Sequence, residues 1–207
     1  MSARFRDRER QPARRTPNRP ARRRLLVVCE GQRTEPEYVR GLAAAARNPL
    51  VDVEIAREHG DPKRVVEAAK ARASSAAADA RRRHDRFLGY DEVWCLFDRD
   101  EHPRFDAAVD QARANDFALA VSNPCFELWL LLHFRESPGD RHRHDVQELL
   151  GKEVPGYAKE VAFATYAPRV ADACLRAQRL DEGAAAMGEL GRNPTTGVYR
   201  LVASIRR

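Results

Sequence analysis

From Arg24 onward, short apolar runs alternate with longer amphipathic stretches, the rhythm of parallel strands joined by helices. Four runs predict strands, at residues 25–29, 51–56, 92–97 and 117–121. The first and third carry apolar side chains on both parities, as a strand covered on both faces requires, and these two are the candidates for the centre of a sheet.

The intervening stretches predict helices with recognisable starts. Thr34 followed by Glu37 has the spacing of a capping box, opening a helix that runs to Ala46. Asp61-Pro62, Asn123-Pro124 and Asn193-Pro194 each place a capping side chain before a proline whose missing N–H costs nothing in a first turn. Residues 65–83 are rich in Ala and Arg and form a strong helix, whose Arg81-Arg82-Arg83-His84 end reads as a solvated last turn. Pro103 opens a further helix ending near Asn115. Beyond a polar stretch at 135–143, helices are expected at 145–150, 161–180 and 194–205. The fold expected is α/β, a mostly parallel sheet flanked by helices, with a C-terminal helical extension. It divides into a tail at 1–23, a core at 24–135 and the extension at 136–207.

Charge changes the picture only at the N-terminus. The net charge is +6, yet residues 1–24 carry ten arginines against Asp7 and Glu9, so the remainder of the chain is slightly acidic. An Arg- and Pro-containing, apolar-poor tail cannot offset its ordering entropy by burial and is expected to be disordered when free, as a phosphate-binding arm or a passive extension. No stretch approaches the roughly 18 consecutive apolar residues of a membrane span, and the Arg-rich start lacks a signal's apolar run. The expectation is a cytoplasmic protein with no membrane partner. Cys29, Cys95, Cys125 and Cys174 have no metal-ligand rhythm and read as free thiols. No Walker A run or G-x-S-x-G elbow exists, which argues against an autonomous ATPase or a serine hydrolase.

The chemistry sits at strand ends, where open α/β sheets bind ligands. The first strand ends in Glu30-Gly31 and the third in Asp98-Arg99-Asp100. Residues two apart on an extended strand point the same way, so Asp98 and Asp100 can face one site. Three convergent carboxylates repel unless a cation joins them, and Mg²⁺, with Mn²⁺ as an alternative, suits an all-oxygen set that keeps waters for a phosphate. Helix caps or solvated strand ends are the plainer alternative. Gly31 permits close approach of backbone or phosphate. Ser122 and Asn123, after the fourth strand, could cap the next helix or position a phosphate. Glu127, one turn further, is either an oriented acid or the polar face of its helix.

The stretches 26–38 (LVVCEGQRTEPEY), 97–102 (FDRDEH), 122–134 (SNPCFELWLLLHF) and 192–196 (RNPTT) together resemble the RloB-like family. That family is similar to TOPRIM proteins and is linked to restriction and abortive-infection loci, often beside an AAA-type ATPase. The resemblance implies a TOPRIM-like core, with the family glutamate at Glu30 and the Mg²⁺-binding D-x-D at Asp98 and Asp100. Gly31, Arg33, Ser122, Asn123 and Glu127 are the accompanying substrate-binding candidates. It implies a metal-dependent endonuclease acting on DNA or RNA in phage defence. The alternative is a non-catalytic nucleic-acid- or nucleotide-binding subunit of the ATPase. A small-molecule phosphohydrolase is weaker, since Glu101 and His102 stand where Thr and Gly usually follow such a D-x-D.

Overall fold

The computed structural model describes residues 22–58, 60–99 and 104–207. The tail before Arg22 lies outside them, as do Asp100, Glu101, His102 and Pro103.

Strand β1 (Arg23–Cys29) lies inside the sheet, hydrogen-bonded in parallel to β2 (Val51–Arg57) on one side and β3 (Glu92–Asp98) on the other. Strand β4 (Ala118–Asn123) adds to β3 in parallel, and a two-residue β5 (Thr195–Thr196) closes the order β2-β1-β3-β4-β5 antiparallel. The expected α/β class and the four expected strands are present. β5 is an addition: two threonines give too short a run for periodicity to register.

Alternate side chains of β1 divide the core. Leu25, Val27 and Cys29 pack with α1 (Thr34–Ala46), α4 (Phe126–Leu131), α5 (Arg143–Glu153), α7 (Val170–Ala186) and α8 (Val198–Arg206). Leu26 and Val28 pack with α2 (Pro62–Arg83) and α3 (Phe105–Arg113) on the opposite face. Each of these five β1 side chains is wholly covered, and burying one stabilises the fold by about 1.5–3 kcal/mol.

Several helix starts differ from expectation, and each has a local cause. Asp61 does cap α2, accepting the Arg64 N–H at 3.1 Å. The capping box at α1 does not form. Its N-cap is Arg33, while Thr34 donates its hydroxyl to the Lys159 carbonyl at 3.0 Å and Glu37 accepts the Val161 N–H at 2.8 Å. At Asn123-Pro124 the helix begins later, with Cys125 as N-cap, and no helix starts at Pro194 because the chain first forms β5. The helix expected over 161–180 is broken. It comprises α6 (Phe163–Tyr166), a 3-10 turn at Ala167–Arg169 and then α7, because Pro168 supplies no N–H and its ring crowds the preceding turn.

On the α4 side, His133 is fully buried, its Nδ1 donating to the Trp129 carbonyl at 2.9 Å and its Nε2 accepting from the Tyr38 hydroxyl at 3.0 Å. Burial holds its pKa down at about 4. It is a neutral core residue, satisfied at both nitrogens. Cys29, Cys95 and Cys125 are buried and Cys174 partly so, all four as free thiols. No described helix is long and apolar enough to cross a membrane.

Candidate active site

Parallel pairing brings the carboxyl ends of β1, β3 and β4 to one edge of the sheet. Cys29 lies beside Leu96 and Asp98 beside Ser122, while the Glu30 N–H continues the ladder to the Leu96 carbonyl at 2.9 Å. Glu30 then turns back, and its Oε2 accepts the Asp98 N–H at 3.1 Å. The two strand-end acids foreseen on β1 and β3 are therefore neighbours.

Two further carboxylates join them from helix first turns. Glu35, in the first turn of α1, is 7 % exposed, and Glu127, in the first turn of α4, is 5 % exposed. Gly31 makes room for Glu35: a Cβ there would stand 1.8 Å from Glu35 Oε2. Glu127 Oε1 accepts from Gln147 Nε2 at 3.1 Å and from the Tyr157 hydroxyl at 3.4 Å. An Arg143 guanidinium nitrogen stands 3.5 Å from Asp98 Oδ2, and the Asp98 side chain keeps 14 % of its exposure. Glu30, Glu35, Asp98 and Glu127 share a cleft of about 400 Å³ with Gly31, Arg33, Arg143 and Lys159.

This crowding is costly for ionised carboxylates. Burial pushes the Asp98 carboxyl well above the ordinary range, Glu35, Glu127 and Glu30 push it further, and Arg143 opposes them. Glu35 is pushed up to about 6, again first by burial and then by Glu127 and Glu30, although the N–H groups of Glu35 and Gly31 favour its anion. Burial and Glu127 also raise Tyr157, which keeps its hydroxyl protonated as a donor.

Of the residues expected at a site, Glu30, Gly31, Arg33, Asp98 and Glu127 line the cleft. Arg33 is turned outward to Glu160, at 2.6 Å. Asp100 lies outside the described residues. Ser122 and Asn123 are not among the lining residues: Ser122 is fully buried with its hydroxyl on Thr196 at 2.9 Å, and Asn123 Nδ2 donates to the Gly191 carbonyl at 2.8 Å. Glu35, Arg143 and Lys159 are additions. Glu35 sits inside the Gly-Gln-Arg-Thr-Glu run, where a second acid four residues beyond Gly31 was the available signal. Arg143 and Lys159 come from the extension and carry no local one.

The donors are all hard oxygens, which suits a hard divalent ion. Among the described residues no set of three His, Cys, Asp or Glu side chains is arranged to hold a metal ion. No curated protein matches the chain, and no solved structure does. The family model described as RloB-like protein matches residues 25–205, the acidic cleft and the C-terminal helices together, and the chain belongs to that family.

Proposed function

We propose that this protein is a Mg²⁺-dependent endonuclease of TOPRIM type, a phosphodiesterase that cleaves DNA or RNA in the cytoplasm as part of phage defence. One observation carries the reading: four carboxylates from separate elements face one cleft, two of them, Glu35 and Asp98, with pKa values raised by burial and by the neighbouring acids. A structural module has no use for such repulsion, whereas a site that takes a cation does.

Glu30, Asp98 and Asp100 are the residues that would hold Mg²⁺, with Mn²⁺ as a substitute. The ion supplies charge neutralisation and polarises a phosphoryl oxygen. The protein's own groups do the rest. Glu30 takes the proton of the attacking water, held in place by the Asp98 N–H at 3.1 Å. Gln147 and Tyr157 fix the orientation of Glu127, so its charge faces the cleft in one position. Arg143 offsets part of the negative charge next to Asp98 and can donate to a phosphate oxygen.

The test is incubation of the purified protein with supercoiled plasmid, single-stranded DNA and RNA in Mg²⁺, Mn²⁺ or EDTA, with and without an AAA-type ATPase encoded beside it. Metal-dependent cleavage by the parent and its loss in Asp98→Asn support the reading. Nucleic-acid binding without cleavage under every condition would transfer it to the regulatory alternative.

A further inference from the structure

Next to the acidic cleft lies a second groove of opposite character, about 410 Å³, lined by Arg99, Asn123, Arg141, His142, Arg143 and Asn193 together with Pro124. Among the described residues no carboxylate lines it. Arg143 belongs to both, so the surface changes from acidic to basic across one side chain. Farther out, Arg99, Asn123 and Asn193 continue beside Asp140, Glu189 and Arg192, and Glu189 is taken by Arg192 at 2.7 Å.

The groove is built by the two Asn-Pro motifs, neither of which starts a helix. Asn123 Nδ2 donates to the Gly191 carbonyl at 2.8 Å and Asn193 Nδ2 to the Arg141 carbonyl at 2.8 Å. These bonds tie the end of β4 to the segment before β5, and that segment to the residues just before α5. Arg99 is held as well: its NH1 donates to the Gly191 carbonyl at 2.9 Å and its guanidinium lies 5.2 Å from the Phe105 ring centre. A held side chain such as Arg99 loses little entropy on meeting a ligand, and a guanidinium presents several N–H donors to a phosphate.

We propose that this groove is a phosphate subsite, holding the sugar-phosphate backbone of a nucleic-acid strand beside the phosphodiester that enters the acidic cleft. The proposal rests on the nuclease reading for its substrate class. It assigns to Arg99, Arg141 and the Asn-Pro struts a binding role separate from the chemistry. A strand laid across both meets cationic groups next to the scissile position, which offsets the repulsion between phosphates and the four carboxylates.

The experiment uses the full chain in EDTA, where cutting is suppressed, and a fluorescein-labelled single-stranded oligonucleotide as DNA and as RNA, followed by anisotropy over a range of KCl. Arg99→Ala and Arg141→Ala are each expected to lower the slope of log affinity against log salt by about 0.7, the single-strand value for one neutralised phosphate. The double variant should bind about tenfold more weakly at low salt. Arg141→Lys, which keeps a point charge, should retain the parent's slope. Arg82→Ala on α2, whose guanidinium already faces Asp79 at 2.7 Å, should also retain it. Parent-like affinity and slope in the double variant overturn the subsite, as does an equal loss in Arg82→Ala. If Arg99→Ala lowers the melting temperature, Arg141→Glu at its exposed position decides instead, and undiminished binding there overturns the proposal. Cleavage in Mg²⁺ is read in parallel. Arginine-dependent binding by a parent that never cuts supports the groove and removes the nuclease reading, whereas cutting with an unchanged salt slope in the arginine variants removes the groove alone.

Discussion

The two ends of strands β1 and β3 treat buried charge in opposite ways. At the amino end, Glu92 is met by the guanidinium groups of Arg23 and Arg207, by the Ser204 hydroxyl and by the Trp94 indole N–H. Burial would raise its pKa, but the hydrogen bonds from Ser204 and Trp94 and the Arg23 charge outweigh that and leave it lowered. At the carboxyl end, a strand length away, Glu30, Glu35, Asp98 and Glu127 share one cleft, and there burial and neighbouring negative charge raise Glu35 and Asp98. One end uses a carboxylate as a fastener between β1, β3 and α8. The other end keeps carboxylates together at a cost in stability, the cost that the proposed cation site would offset.

The contrast can be broken hardest at Asp98. Asp98→Asn should lower cleavage by about 10³-fold, the scale of several kcal/mol of charge stabilisation, while raising the melting temperature in EDTA because one repelling charge is gone. A variant that cuts like the parent in a single-turnover assay would remove Asp98 from the site. Glu30→Gln is expected next, with cleavage reduced by about 10² and oligonucleotide affinity equal to or above the parent's, since a negative charge facing phosphate has been deleted. Equal losses of binding and cleavage would make Glu30 a structural residue.

The amino end predicts the reverse pattern. Glu92→Ala should destabilise the fold by about 2–3 kcal/mol in urea unfolding, because charged hydrogen bonds are lost and two arginines are left facing each other, yet leave cleavage per folded molecule unchanged. A fall in cleavage without a fall in stability would mean that the two ends are not independent.

Glu35 gives the pH signature of the acidic end. Its carboxyl is raised from 4.5 to about 6, so the stability linked to its protonated form is complete below pH 4.5 and is lost as pH rises through about 6. At about 1.4 kcal/mol per unit, the loss in EDTA is about 2 kcal/mol. Mg²⁺ should restore it at neutral pH, and Glu35→Gln should abolish the pH step. The smallest expected effect belongs to the tail. Deletion of residues 1–21 should flatten the salt dependence of binding by roughly 0.7–0.9 for each phosphate that the tail neutralises. The cut stops before Arg23 because that side chain holds Glu92.

The same strands show how much was legible in advance. β1 and β3 announced themselves by apolar residues on both parities and by their terminal acids, and the structure sets Glu30 against Asp98 as the strand-end argument requires. Glu35 was obscured because Thr34 and Glu37 read as a local capping box, whereas both side chains are used over a distance of more than 120 residues, by Lys159 and Val161. The two Asn-Pro motifs misled for the same reason, since a side chain that could cap its own helix can equally tie down a remote carbonyl. Local spacing encodes local hydrogen bonds. It cannot distinguish them from long-range ones made by the same atoms.

The long-range ties across α1 also set an order in time. The four acids of the cleft are synthesised by residue 127, but the wall facing them is built by Arg143, Gln147, Tyr157 and the 159–161 segment. At roughly 5–20 residues per second, the chain spends a few seconds with its acids made and its cleft open on one side. On the nuclease reading, a site assembled in this order would mature only when the C-terminal helices dock, so the unfinished chain would meet the messenger and ribosomal RNA around it without a completed site.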